Sequence, residues 1–72
     1  MPNYGITVQH HSLARSREVK VNGTLRLATR RASQEFSSEQ REYTIQIHEL
    51  SDEREPQLVA SRRVSQRYWT YA

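Results

Sequence analysis

The chain has 72 residues, of which 35% are hydrophobic, and a formal net charge of +3. A chain of this length makes a single small domain, over residues 1–72, whose core gives only marginal stability. The absence of cysteine excludes disulfides and thiolate metal sites, and the absence of a long apolar run predicts no membrane partner and no signal peptide. These features are typical of a cytoplasmic protein.

Two segments in the first third of the chain have the alternation of β-strands. In residues 4–10, tyrosine, isoleucine and valine alternate with glycine and polar residues. Residues 18–21, Glu-Val-Lys-Val, alternate again. The polar residues 11–17 between them predict a loop.

Residues 22–36 allow two interpretations. Asn22-Gly23 favours a two-residue hairpin turn, but that register would put the preceding valines on one face and the following leucines on the other. The alternative is a helix over 24–36 with Thr24 as its N-cap. That helix has one apolar face, formed by Leu25, Ala28, Ala32 and Phe36. We favour the helix; a third arrangement confines it to about 29–40.

The second half of the chain predicts three strands. Residues 43–50 alternate most regularly, and 57–64 and 68–71 follow after a charged turn that ends at Pro56 and a short polar turn. The order is then β-β-α-β-β-β, an α+β fold with an antiparallel sheet of about five short strands and one helix on one face. We expect the last three strands to form a meander, and the helix to cover a sheet face carrying Tyr43, Ile45 and Ile47. The other sheet face should be more polar.

Charge is sorted along the sequence. Residues 1–34 have a net charge of +5, residues 35–55 of −5, and residues 56–72 of +3. Ten of the eleven bases are arginine, whose planar fork of donors suits carboxylates, phosphates and protein interfaces. This pattern predicts a binding protein with a basic surface.

Two arginine clusters supply the candidate binding residues. They are Arg26, Arg30 and Arg31 in the predicted helix, and Arg62, Arg63 and Arg67 beside Trp69. Arginine next to aromatic residues is typical both of nucleic-acid binding and of protein interfaces. Arg62 and Arg63 should point to opposite faces of their strand. The alternative for each cluster is a solvated surface, with the second cluster pairing with Glu49, Asp52 and Glu55 across the meander.

The aromatic segment near the end of the chain is the second candidate for an interface. Strand alternation puts Tyr68 on one face and Trp69 with Tyr71 on the other. One of these two sets should complete the core, and the other supplies exposed anchors.

No group of residues predicts catalysis. His10, His11 and His48 lack companions at metal-ligand spacing, and two glycines cannot make a phosphate loop. A domain this small also has little room for a substrate pocket. We therefore expect no enzyme, no cofactor and no metal.

The order of elements resembles that of small phage-encoded anti-CRISPR proteins, above all those that block type I surveillance complexes. The resemblance is carried by residues 25–33, 43–47, 58–62 and 68–69. It implies a protein that binds the repeated backbone subunits along the crRNA, in the host cytoplasm, and obstructs target DNA. It assigns no residue roles, because that family shares no catalytic motif. Many of those proteins are acidic and this chain is basic, which favours occlusion by protein contact over DNA mimicry.

The leading hypothesis is a non-enzymatic inhibitor or adaptor that binds a protein or ribonucleoprotein complex through arginine and aromatic residues. The alternatives are a small basic nucleic-acid-binding protein and a structural subunit of a phage or other assembly. A homodimer is a further partner to consider, because so small a core gains stability from a second copy.

Overall fold

The computed structural model describes residues 3–10, 16–36 and 43–72. The elements are β1 (Asn3–His10), β2 (Ser16–Asn22), α1 (Leu25–Glu35), β3 (Tyr43–Leu50), β4 (Gln57–Arg63) and β5 (Thr70–Tyr71). The predicted order β-β-α-β-β-β and the α+β class are confirmed.

All five strands form one antiparallel sheet in the order β2-β1-β3-β4-β5. The last three strands are neighbours, so the predicted meander is confirmed. The chain leaves the sheet at β2, crosses it through α1 and returns beside β1. This crossing places the helix over β1, β2 and β3.

The core lies between α1 and one face of the sheet. β1 turns Tyr4, Ile6 and Val8 toward the helix, and β3 adds the fully buried Ile45 and Ile47. The helix contributes Ala28, Ala32 and its C-cap residue Phe36, all fully buried. The two alanines let the helix axis approach the sheet closely, and Phe36 fills the volume at the helix end. The predicted helix-facing residues are therefore in place, with Leu25 and Tyr43 only partly buried.

The change from strand to helix at Gly23-Thr24 decides between the two interpretations of this segment. Gly23 has a φ of +147°, which residues with a side chain rarely adopt. The Thr24 side-chain oxygen accepts a hydrogen bond from the Leu27 backbone N–H at 3.1 Å, as an N-cap should. The helix interpretation is confirmed and the hairpin is wrong.

Replacing Gly23 with alanine should lower the free energy of unfolding by about 1–3 kcal/mol, because the backbone there is strained for any side chain. A Cβ would also lie 2.8 Å from Cδ2 of Leu27. Gly5→Ala is the matched control, since its Cβ would meet the nearest atom at an ordinary 3.5 Å. We expect that control to leave stability unchanged or raise it by up to about 1 kcal/mol. Urea unfolding of both variants checks this, and equal effects would contradict it.

Several predicted boundaries are wrong. β2 begins at Ser16 rather than at 18, because it pairs with β1 as far as Gln9. β4 ends at Arg63, and β5 spans only Thr70–Tyr71 instead of 68–71, since only these two residues pair with β4. Residues 11–15 of the predicted first loop, and any extension of the helix to about 40, lie outside the described residues.

The sheet face away from α1 is more polar, as predicted. Thr7, Gln46 and His48 lie on it and are half-buried. No helix within the described part of the chain is long and apolar enough to cross a membrane.

Candidate interaction surface

The exposed side of α1 carries three of the predicted site residues. Arg26, Arg30 and Arg31 are all exposed. Arg26 and Arg30 are one helical turn apart, and neither has an acidic partner among residues 3–10, 16–36 and 43–72. Arg31 donates from Nε to Glu35 Oε1 at 2.9 Å. Within the described residues, two of the three guanidinium groups therefore have no ion pair.

Leu27 lies in the middle of these arginines and is 45% exposed. It lines two shallow grooves: one with Thr24, Arg26 and Arg30, the other toward the β2 edge with Arg30, Arg31 and Gln34. We call Arg26, Leu27, Arg30 and Arg31 together the α1 surface. It combines an exposed apolar side chain with three arginines, the charged residue that is enriched at protein interfaces.

The charges of Arg26 and Arg30 do not stabilise the helix. Its first turn has no acidic residue and its last turn has no basic one, whereas the helix dipole favours acids first and bases last. Arg26 lies in the first turn, and Arg26 with Arg30 is a like-charge pair at i,i+4, which is unfavourable. A helix that carries unfavourable arginines on its exposed side is expected where those arginines bind something.

Arg26→Glu should therefore raise the free energy of unfolding, by roughly 0.5–1 kcal/mol. Glutamate would match the helix dipole and would stand four residues before Arg30, the favourable order for an ion pair. Arg30→Glu, one turn further from the N-terminus, should raise the free energy of unfolding by less. Arg67→Glu is the control for the change in net charge. Thermal unfolding of the three variants checks the ranking; a destabilised Arg26→Glu would show instead that Arg26 supports the fold.

Arg62 lies on the helix-facing side of β4, where it binds other parts of the domain. Its Nη1 donates to the backbone carbonyls of Val64, at 3.4 Å, and Gln66, and its Nη2 donates to Ser33 Oγ of α1 at 3.4 Å. The guanidinium carbon lies 5.1 Å from the centre of the Trp69 ring, within range of a cation–π contact. Arg62 Nε is buried and has no hydrogen-bond partner within the described parts of the chain.

The rest of the second cluster is divided between two environments. Trp69 is partly buried and packs against the core, while Tyr68 is 76% exposed and Tyr71 is exposed as well. The expectation that one of the two sets completes the core holds for Trp69 alone, because the short β5 leaves Tyr71 at the edge of the sheet. Arg63 is exposed on the face opposite Arg62, as predicted, and Arg67 is exposed in the turn.

The acidic segment does not neutralise this second cluster in the part of the chain that the structure describes. Glu49 pairs with Arg54 at 3.8 Å, and the ion pairs there include none between Arg62, Arg63 or Arg67 and the acids of residues 49–55. The predicted pairing across the meander is not seen. The two arginine clusters therefore differ in kind: the α1 arginines cover one exposed surface, whereas Arg62 is turned inward and separated from Arg63.

Leu27 is the site residue that the sequence prediction missed. Its side chain lies outside the arc of Leu25, Ala28, Ala32 and Phe36, and an exposed leucine off the apolar face was the signal that could have found it. Within residues 3–10, 16–36 and 43–72 no group of three or more histidine, aspartate or glutamate side chains is arranged to hold a metal ion.

Comparison of the chain with models of protein families, with curated proteins and with solved structures gives no match.

Proposed function

We propose that this protein is a non-enzymatic binding protein, and that its α1 surface docks on an acidic surface of a larger protein assembly. The observation that carries the proposal is Leu27, 45% exposed in the middle of three arginines on one helix. An apolar anchor excludes water from the centre of an interface, and the surrounding arginines bind carboxylates.

A protein partner is favoured over nucleic acid by the position of the aromatic residues. Binding of single strands uses aromatic rings near the basic residues, so that bases can stack on them. The helix that presents the arginines has no aromatic residue among Leu25–Glu35, and Trp69 is committed to the core and to Arg62. Phosphate recognition would also have no use for an exposed leucine.

The class of partner is supplied by the resemblance to small phage-encoded anti-CRISPR proteins, and it rests on the order of elements alone. We propose that the protein binds a type I surveillance complex and blocks its access to target DNA. Because the chain is basic, the block would come from occupying a protein surface and not from imitating DNA. Charge complementarity would mainly speed association and select the partner.

Target-DNA binding by purified type I surveillance complexes, with and without this protein, tests the proposal. We expect target binding to be lost when the protein is added before the DNA, at a concentration near that of the complex. The Leu27→Ser variant should lose most of this effect while keeping its fold. Undiminished target binding by every complex tested would reject the inhibitor function.

Direct binding to nucleic acid is the second candidate, because Arg26 and Arg30 are exposed and without acidic partners in the described residues. In this case affinity should fall with salt at a slope near −0.9 per neutralised phosphate on duplex DNA. Leu27→Ser would leave such binding unchanged, which separates the two candidates.

A further inference from the structure

Strand β2 forms one end of the sheet, and its outer edge carries no strand from the described residues. The sheet order ends at β2, which pairs only with β1. At the other end, β5 has two residues, whereas β2 has seven. A long edge strand presents a row of backbone donors and acceptors to which another strand can add.

The sequence of β2 is complementary to itself when two copies run antiparallel. In Glu18-Val19-Lys20, a two-fold axis through Val19 places Glu18 of each copy opposite Lys20 of the other. Glu18 and Lys20 are both exposed, and their partners on β1 are Thr7 and Gly5, which carry no charge. Neither side chain forms an ion pair within the described part of the chain, so each charge can face a second copy.

We propose that the protein forms a homodimer in which the two β2 strands pair antiparallel about Val19. The two sheets would join into one sheet of ten strands. Opposite charges facing each other across neighbouring strands stabilise the pairing. A two-fold interface uses the same patch twice, so the Glu18–Lys20 contact is made twice.

The charges select this register against its neighbours. A two-fold axis perpendicular to the sheet keeps each face of the sheet on the same side, so residues directly opposite each other must point to the same face. The alternative registers therefore differ from this one in steps of two residues, with the axis passing through a residue in each. A register centred on Glu18 places Glu18 opposite Glu18, and a register centred on Lys20 places Lys20 opposite Lys20. Like charges directly opposite are unfavourable. Only the register centred on Val19 pairs both charges.

The helix-facing side of the edge is compatible with a second copy. Val19 lies on that side, opposite Ile6 of β1, and is partly buried against the core. In the dimer the two Val19 side chains would meet and cover each other's remaining exposed area. Both α1 helices would lie on the same face of the joined sheet, because the two-fold axis preserves its faces. The dimer would thus present two α1 surfaces in one direction.

Sedimentation equilibrium of the full chain across a concentration series tests the dimer without any other partner. We expect the wild type to dimerise, and we expect Glu18→Lys and Lys20→Glu each to weaken dimerisation at least tenfold. The double variant E18K/K20E exchanges the two charges and should dimerise as the wild type does. An equimolar mixture of the two single variants should also dimerise, since all facing charges would then be opposite.

Two controls make the same changes of net charge elsewhere: Glu55→Lys for Glu18→Lys, and Arg67→Glu for Lys20→Glu. Both positions are exposed and lie outside β2, so both variants should dimerise normally. Circular dichroism establishes that every variant is folded.

A wild type that is monomeric at all concentrations would overturn the proposal and would give Lys20 the role of protecting an unpaired strand edge. Dimers that persist in both single variants, or a folded double variant that stays monomeric, would overturn it equally. The proposal does not rest on the function of the α1 surface. Lys20 lines the groove that also contains Leu27, Arg30 and Arg31, so Glu18→Lys is the variant that separates loss of the dimer from loss of binding at α1.

Discussion

Replacing Arg62 with alanine should lower the free energy of unfolding by about 2–3 kcal/mol, a large fraction of the stability of so small a domain. The substitution removes hydrogen bonds from a charged donor to Ser33 of α1 and to the carbonyls of Val64 and Gln66. It also removes the guanidinium from the face of Trp69. Arg62 therefore joins the helix, the β4–β5 turn and the last aromatic residue of the core.

Arg63→Ala is the matched control for this prediction. The two arginines are adjacent in β4, but Arg63 is exposed on the opposite face of the sheet. Its replacement should change the free energy of unfolding by no more than about 0.5 kcal/mol. Chemical unfolding of both variants measures the difference. Equal stability of the two variants would show that the contacts of Arg62 contribute nothing to the fold.

Reversing two charges of the α1 surface, in the double variant R26E/R30E, should weaken binding to the protein partner at least 100-fold. Central arginines of an interface are worth about 2 kcal/mol or more each, and reversal adds repulsion from the acids they faced. Both residues are exposed, so the variant should remain folded. Titration of the partner complex, followed by interferometry, gives the ratio of dissociation constants.

The matched control is the double variant R63E/R67E, which changes the net charge by the same amount in β4 and the turn that follows it. It should bind within about threefold of the wild type if the contact is local to α1. Equal losses in the two double variants would mean that only net charge matters. A loss of affinity confined to R63E/R67E would place the binding surface at the β4–β5 turn.

The sequence was sufficient to predict the arrangement of elements. The alternation in 43–50 indicates one structure. Residues 22–36 also allowed a hairpin, and the common face of Ala28, Ala32 and Phe36, with Thr24 as N-cap, favoured the helix that is observed. The strand ends were less predictable. β2 reaches back to Ser16 because β1 is long enough to pair with it, and that partner is not visible in the residues of β2 themselves.

The site was harder to predict than the fold, because local pattern does not give the surroundings of a long side chain. Strand alternation correctly predicts that Arg62 and Arg63 lie on opposite faces of the sheet. It does not reveal that Arg62 lies on the face that packs against α1. Arginine beside Trp69 looks the same in sequence whether it binds a partner or the domain's own turn. The helix arginines were more predictable, since a helix buries one side and leaves the other exposed.

The central claim is that the α1 arginines serve a protein surface and not phosphates. Its most direct test is fluorescence anisotropy of single- and double-stranded DNA 20-mers titrated with the purified protein at about 50 and 200 mM salt. The claim predicts no micromolar binding at either salt concentration. The contradicting result is micromolar binding at the lower salt concentration that disappears in R26E/R30E. That binding should weaken roughly 40-fold at the higher salt concentration, as about three phosphate contacts would require. This result would make nucleic acid the partner.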